Sequence, residues 1–379
     1  MDFSVTEEQE AIRDLAGQIF SDQVTHERLS QLEKSGEAFD RALWSELAKA
    51  NLTALCLPER VGGGGFGLTE ACMVLEETGR TVAQVPLLAT LLMGGLPIAE
   101  FGTATQQEKW LLPVANGEGI LTAALEEEGG RDAAQPRTTA RRNGDGDGWI
   151  VSGEKTCVPA TEDAIVILVP ARTEDGGVVV CGIEPAADGV SLERQVTTNR
   201  ELQRRLVLEG VRVEDGSLLG DARRGADIVR WIVDRVTLGL CSMQLGVAED
   251  ALRRTSEYTA ARKQFGRPIA TFQGVSLRVA DAFIDIEAMR ATLVQAIWRL
   301  SEGLDCDVEI ASAKWWACRG GDRVAHTAQH LHGGIGSDID YPIHRYMLWS
   351  RQLGLTLGGA HQQLATLGAL LATSNSEQA

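Results

Sequence analysis

The stretch ARKQFGRPIATFQ, residues 261–273, gathers residue types that meet anions, in a chain whose formal net charge is −17. From Arg253 to Arg278 six basic residues face one acid, Glu257. Gly266 and Pro268 are expected to end a helix there, so that Arg262, Lys263 and Arg267 collect beside a loop instead of along a solvated helix face. A guanidinium meets a pyrophosphate with planar, two-pronged geometry, which makes a discrete phosphate-bearing ligand the chemical expectation. A helix end whose cations merely offset the macrodipole would have the same composition.

Two other spacings suggest metal ligation. In NGDGDGWIVSGE, residues 143–154, Asn143, Asp145 and Asp147 alternate, Gly148 is sixth and Glu154 twelfth, as in a calcium loop. Its flanks read as strands joined by a Gly/Asp/Asn turn, whereas that calcium loop needs a helix on either side. His326 and His330 are four apart and would share a helix face as zinc ligands do, with His332 close by. No Cys or carboxylate at ligand spacing joins them, and HTAQHLHGGIG runs into a glycine turn suited to close backbone approach. No metal site is expected.

The elements that must position these residues fall into three zones. A length of 379 residues is enough for two or three domains. Residues 1–118 read as helical, with Thr6 as a cap for the first helix and three- and four-residue apolar spacing through ALWSELAKANLTALCL. Residues 119–225 read as a small, mostly antiparallel β domain built from runs such as DAIVILVP, GGVVVCGI and RLVLEGVRV. Residues 226–379 return to helical periodicity, with Val279, Phe283, Ile286, Leu293, Ile297 and Leu300 as one stripe. The apolar run VPLLATLLMGGLPIAEF is broken by Gly94, Gly95 and Pro97 and reads as a buried helix, not a membrane span. Seven scattered Cys without a CxxC pair and the absence of a signal-peptide pattern fit a cytoplasmic protein, and the acidity argues against nucleic-acid binding.

YTAARKQFGRPIATFQ together with AQHLHGGIG resembles the acyl-CoA dehydrogenase family, and LPERVGGGGFG, TQQEKWLLPVANGEGILTAAL and GWIVSGEK extend the resemblance over the whole chain. It implies an α+β fold with an N-terminal all-α domain, a middle antiparallel β domain and a C-terminal four-helix bundle, oligomers, and FAD at subunit interfaces. It further implies that Arg262, Gln264, Phe265 and Gln273, with His330, Gly333 and Gly334 of the HGG turn, serve the flavin of a neighbouring subunit.

The pattern is broken elsewhere. Family members take the α proton of an acyl-CoA thioester with a carboxylate while hydride leaves from the β carbon, and the position of the commonest base holds Leu357. The alternative base position on an earlier helix corresponds to Val236, with Asp234 two residues away as a weak substitute. A stretch of type T-E-P-G-x-G-S-D reads EEEGGRD at residues 126–132, bringing acids and Arg131 toward a phosphate-bearing ligand. Cys157 and Pro159 replace flavin-packing Trp and Thr, and Gly359 and His361 stand where Thr and Gln often bind the cofactor. His330 replaces a Gln of the HGG motif, which weakens that one contact.

The damage is one-sided, and it resembles the β-type, non-catalytic subunits of actinobacterial α2β2 acyl-CoA dehydrogenases acting on steroid side chains. The expectation is a subunit with no catalytic residue of its own that completes the FAD site of a second acyl-CoA dehydrogenase subunit. The complex would take an acyl-CoA substrate and an electron-transfer acceptor. A self-sufficient homo-oligomer using Asp234 and a flavin-free structural subunit are the alternatives.

Overall fold

The computed structural model describes residues 3–144 and 147–377, with side chains through residue 372. Helices α1 (Glu7–Gln23), α2 (His26–Ser35), α3 (Arg41–Lys49), α4 (Leu68–Arg80), α5 (Leu96–Phe101) and α6 (Ala104–Ala115) come first. Strands β1 (Ile120–Ala123), β2 (Thr139–Arg142), β3 (Trp149–Pro159), β4 (Ala164–Thr173), β5 (Val178–Ile183), β6 (Val190–Val196) and β7 (Leu202–Val213) follow. Then come α7 (Gly225–Ala261), the short strands β8 (Lys263–Gln264) and β9 (Arg267–Pro268), and helices α8 (Gln273–Ser301), α9 (Asp307–His332), α10 (Ile343–Leu355) and α11 (Ala360–Glu377). The expected order of helices, sheet and helical bundle holds. Spatially, the chain forms two compact units, Met1–Gln31 with Cys72–Ala83 and Thr237–Ala379, and Leu32–Ala71 with Gln84–Val236.

In the first unit, Thr6 starts α1 as a capping box: its hydroxyl accepts from Gln9 N at 3.2 Å and Gln9 Oε1 accepts from Thr6 N at 3.0 Å. Helices α4 and α7 touch backbone to backbone, since a Cβ on Gly246 would lie 1.9 Å from Glu76 O and one on Gly79 2.0 Å from Met243 O. Helix α9 packs against α8, α10 and α11. The stripe expected on α8 needs correction: Phe283 is 56% exposed, and Ala282, Asp285, Met289 and Ala296 join Ile286, Leu293 and Ile297 on the buried face. On that face Arg323 donates to Asp285 through Nε at 2.7 Å and through a second nitrogen, so a buried carboxylate that a hydrophobic pattern overlooks has its partner.

In the second unit the sheet order is β1-β4-β2-β3-β7-β6, with β5 also on β4. The pairs β2–β3, β3–β7, β4–β5 and β6–β7 are antiparallel, while β1–β4 and β2–β4 are parallel. Val151, Ile167, Val169, Cys181, Leu206 and Val211 centre its core. The apolar run before β1 is buried as expected, with Ala89–Gly95 in π-helical form. Gly94 is required there, as a Cβ would stand 2.3 Å from Leu121 Cβ on β1. No helix among the described residues is long and apolar enough to cross a membrane. The calcium-loop spacing starts in the turn after β2 and runs into β3, strands instead of helices; Asp145 itself lies outside the described residues.

One ion pair is sealed inside this unit. Lys155 Nζ lies 2.7 Å from Glu127 Oε1, with neither side chain more than 7% exposed. The same carboxylate accepts from Arg137 N at 2.6 Å, Thr138 N at 3.0 Å and Thr138 Oγ1 at 2.7 Å. Burial alone would raise the Glu127 carboxyl, but Lys155 and these donors outweigh it and hold it below its ordinary 4.5. Removing one partner of such a pair strands the other, so Lys155→Met is expected to lower unfolding free energy by about 3–5 kcal/mol in urea denaturation. Because the folded Glu127 titrates below 4.5, its contribution is present above that pH and is lost as pH falls through the lowered value. The gap between wild type and Lys155→Met should therefore narrow in acid.

Candidate functional site

Helix α7 stops at Ala261, before the Gly266 expected to end it. Arg262 N donates to Tyr258 O at 2.8 Å and Arg262 O accepts from Ile269 N at 2.8 Å, so the chain reverses through the β8–β9 hairpin. Its two turn residues, Phe265 at φ 52° and Gly266 at φ 81°, both take the left-handed conformation of a type I′ turn. Phe265 is 92% exposed at the tip. Arg262, Lys263 and Gln264 are exposed, and among the described residues no carboxylate pairs with Arg262 or Lys263. Arg267 instead lies over the Phe272 ring at 4.2 Å. Gln273, also exposed, opens α8, whose N-cap Phe272 offers no side-chain acceptor.

The second half of the site follows α9. Gly333 has φ 65° and ψ −140°, which a side chain disfavours, and added Cβ atoms on Gly333 and Gly334 would meet nothing within 4 Å. His330 is exposed. His332 turns inward, its ring stacked on Tyr258 at 4.4 Å and tilted against Tyr341 at 5.4 Å. Tyr258 is one helical turn before Arg262, so this contact brings the cationic hairpin and the glycine turn into one neighbourhood. The sequence pattern placed His332 among possible metal ligands and at the head of the HGG turn, and Tyr258 at the head of YTAARKQFGRPIATFQ, but gave neither ring this contact and gave Tyr341 no role.

The groups expected to serve a flavin held by this same chain are arranged differently. Leu357 sits at φ 55° between α10 and α11, half-buried, with no acid in its place. Gly359 and His361 line a cavity of about 390 Å³ together with Cys318, Arg319, Asp322 and Arg351. Asp234 is half-buried on α7 and Val236 is fully buried. Glu126 bridges to Thr156 through its backbone, its carbonyl accepting from Thr156 N at 2.9 Å. Cys157, at φ 52° in a bulge of β3, donates its N–H to Gln195 Oε1 at 2.9 Å, and Gln195 Nε2 donates to Thr156 Oγ1 at 3.0 Å. Pro159, ending β3, has no N–H to offer. The polar groups of this strand are thus satisfied by the chain itself.

The histidines have other partners than a metal. His326 Nε2 accepts from Arg351 at 2.7 Å, and His332 Nδ1 donates to Ala328 O at 2.8 Å. Among the described residues no group of three or more His, Cys, Asp or Glu side chains is placed to hold a metal ion.

Comparison with known proteins matches three family profiles: acyl-CoA dehydrogenase N-terminal domain over residues 6–118, middle domain over 122–211 and C-terminal domain over 223–370. Acyl-CoA dehydrogenase FadE27 of Mycobacterium tuberculosis is 37% identical over 380 residues, covering 98% of this chain and 99% of the relative. The structure of a variant of the Tcur3481-Tcur3483 steroid ACAD is 45% identical with a TM-score of 0.91, covering 98% of this chain and 99% of the other. The ChsE4-ChsE5 complex from Mycobacterium tuberculosis is 38% identical with a TM-score of 0.91 over the same shares.

A bulky residue in the left-handed region costs roughly 1–2 kcal/mol, and Asn-Gly is the favoured pair for a type I′ turn. Phe265→Asn is therefore expected to raise the melting temperature of the folded chain, measured by calorimetry. A fall would mean that the Phe265–Phe272 contact, 6.2 Å between ring centroids, outweighs the backbone strain.

Proposed function

The chain belongs to the acyl-CoA dehydrogenase family, and from that premise we propose that it is a hetero-oligomer subunit that completes the FAD site of a catalytic partner subunit. The complex would dehydrogenate a bulky, steroid-type CoA ester. Members of the family are FAD flavoproteins and oxidoreductases of CH–CH groups. The names of the steroid ACAD and of the two-component ChsE4-ChsE5 complex support the substrate class and the mixed assembly.

One observation carries the reading. The cations and open glycines of the Arg262 hairpin and HGG turn have no occupant within this chain, whereas the backbone donor at Cys157 is filled by Gln195 and the base position holds Leu357. The residues present fit FAD on the first side and not on the second. Arg262 would clamp the pyrophosphate, with Gln264, Phe265 and Gln273 against the adenosine end and the Gly333–Gly334 backbone close enough to hydrogen-bond to it. FAD, when bound, would supply the hydride acceptor, and the proton would have to go to a base of the partner subunit, since Leu357 cannot take it. This chain would then bind, orient and shield the ligand.

The chain purified alone is expected to hold little FAD, and co-expression with a family chain that carries the carboxylate base should restore a stoichiometric flavin spectrum. Arg262→Ala should weaken FAD in the mixed complex about tenfold to a hundredfold, with Arg262→Lys recovering only part because an ammonium keeps the charge but not the fork. Stoichiometric flavin and turnover in the isolated chain would overturn the assignment. Leu357→Glu keeps the same backbone cost and should leave the isolated chain inactive; turnover in that variant would show an intact pocket of its own.

A further inference from the structure

Between the hairpin and the glycine turn lies a pile of three rings from three elements: Tyr258 in the last turn of α7, His332 at the end of α9, and Tyr341 just before α10. Tyr258 and His332 are close to parallel, 4.4 Å between centroids with 23° between planes, while Tyr341 meets Tyr258 edge-on at 6.5 Å. The His332 ring is tied to its own helix, and the backbone carbonyls of the two tyrosines are engaged by their neighbours. His332 Nδ1 bonds to Ala328 O at 2.8 Å, and Tyr341 O accepts from His344 Nδ1 at 2.7 Å. Tyr258 O accepts the N–H of Arg262 at 2.8 Å.

We propose that His332 is a positioning residue for the partner's cofactor. Its stacked ring fixes the distance between the Arg262 hairpin and the Gly333–Gly334 backbone, so that both halves meet one phosphate-bearing ligand. The inference rests on the subunit role proposed above and assigns the work within it. The glycine turn is held from α9, where Gly333 N donates to His330 O and Gln329 Nε2 donates to Gly336 O at 2.6 Å, and the hairpin is closed by Ile269 N donating to Arg262 O at 2.8 Å; the Tyr258–His332 stack, with the Tyr258 hydroxyl donating to His332 O at 3.5 Å, joins these two separately held pieces. A ring in this place must be flat and apolar on its faces. With Nδ1–H given to Ala328 O, Nε2 carries the lone pair, is buried and has no hydrogen-bond partner among the described residues. Burial pushes the imidazole below its ordinary 6.5, which agrees with a neutral ring.

The test compares His332→Ala, His332→Phe and Arg262→Ala in the co-expressed complex, reading the FAD dissociation constant by flavin fluorescence and, separately, the melting temperature of this chain purified alone. An aromatic pair contributes enough that His332→Ala should weaken FAD roughly threefold to tenfold, with His332→Phe returning to within about twofold of wild type because it keeps the stack. The double variant Arg262→Ala with His332→Ala should lose less than the sum of the single losses, since both act through one contact. Wild-type FAD affinity in His332→Ala overturns the inference. So does a loss in His332→Ala that tracks a falling melting temperature and is not recovered by Phe, because general destabilisation then accounts for it. If Arg262→Ala weakens FAD while His332→Ala does not, only this inference fails; if neither does, the subunit role fails with it.

Discussion

The carboxylate of Asp250, 5% exposed on α7, sets the register on which the rest of the site depends. It accepts from Arg253 Nε at 2.7 Å, from Arg254 Nε at 2.5 Å and from the hydroxyl of Tyr346 on α10. The Tyr346 hydroxyl also faces Arg80 O on α4 at 3.2 Å, so one buried anion joins three helices. Burial would raise this carboxyl, but Arg254, Tyr346 and Arg253 together hold it lowered and charged. A charge so placed is costly unless every lone pair is met, which leaves little freedom to slide α10 along α7. About three turns further along, just past the end of α7, comes Arg262; just beyond the far end of α10 comes Leu357.

Against this background the hairpin is electrostatically unlike its surroundings. Arg80 is shared among Glu76, Glu77 and Glu249, Arg290 reaches Glu249, Arg323 reaches Asp285 and Arg299 reaches Glu309. In an acidic chain almost any Arg can find a carboxylate, yet Arg262 and Lys263 have none among the described residues, and the ring beside them, Phe265, is in water. An unanswered cation and an exposed aromatic in a strained turn cost stability within the chain, which is why the proposed function places a ligand there.

The other side differs by occupation, not by collapse. Cys157, Ala160 and Leu357 all keep left-handed backbone at φ 52°, 51° and 55°, conformations that side chains other than Gly adopt at a cost. In the sheet the nearby polar groups are engaged within the chain: Gln195 takes Cys157 N–H, and Glu127 binds Lys155 and the Arg137–Thr138 backbone. Because these groups are satisfied inside the chain, the sheet needs no ligand to complete its hydrogen bonding at those positions.

The sequence by itself determined the order of elements, because periodicity and caps are local: the Thr6 capping box, the β runs, the glycine turn after α9 and the cationic stretch after α7 are legible in short windows. It also showed Leu357, which is not an acid in any fold, at the position where the family resemblance expects a base. What it could not determine depends on pairings between distant residues. The hairpin beyond Ala261 is set by Ile269 closing on Arg262, the buried carboxylate of Asp285 on α8 is met by Arg323, and the donor at Cys157 is filled by a Gln on another strand. His332 shows the difference most plainly. Its spacing from His326 and His330 suggested a ligand, and only the fold, by laying the ends of α7 and α9 together, made it a ring that Tyr258 stacks upon. Contacts across such separations arise from packing, in which burial and hydrogen-bond satisfaction outweigh any local preference a sequence window can reveal.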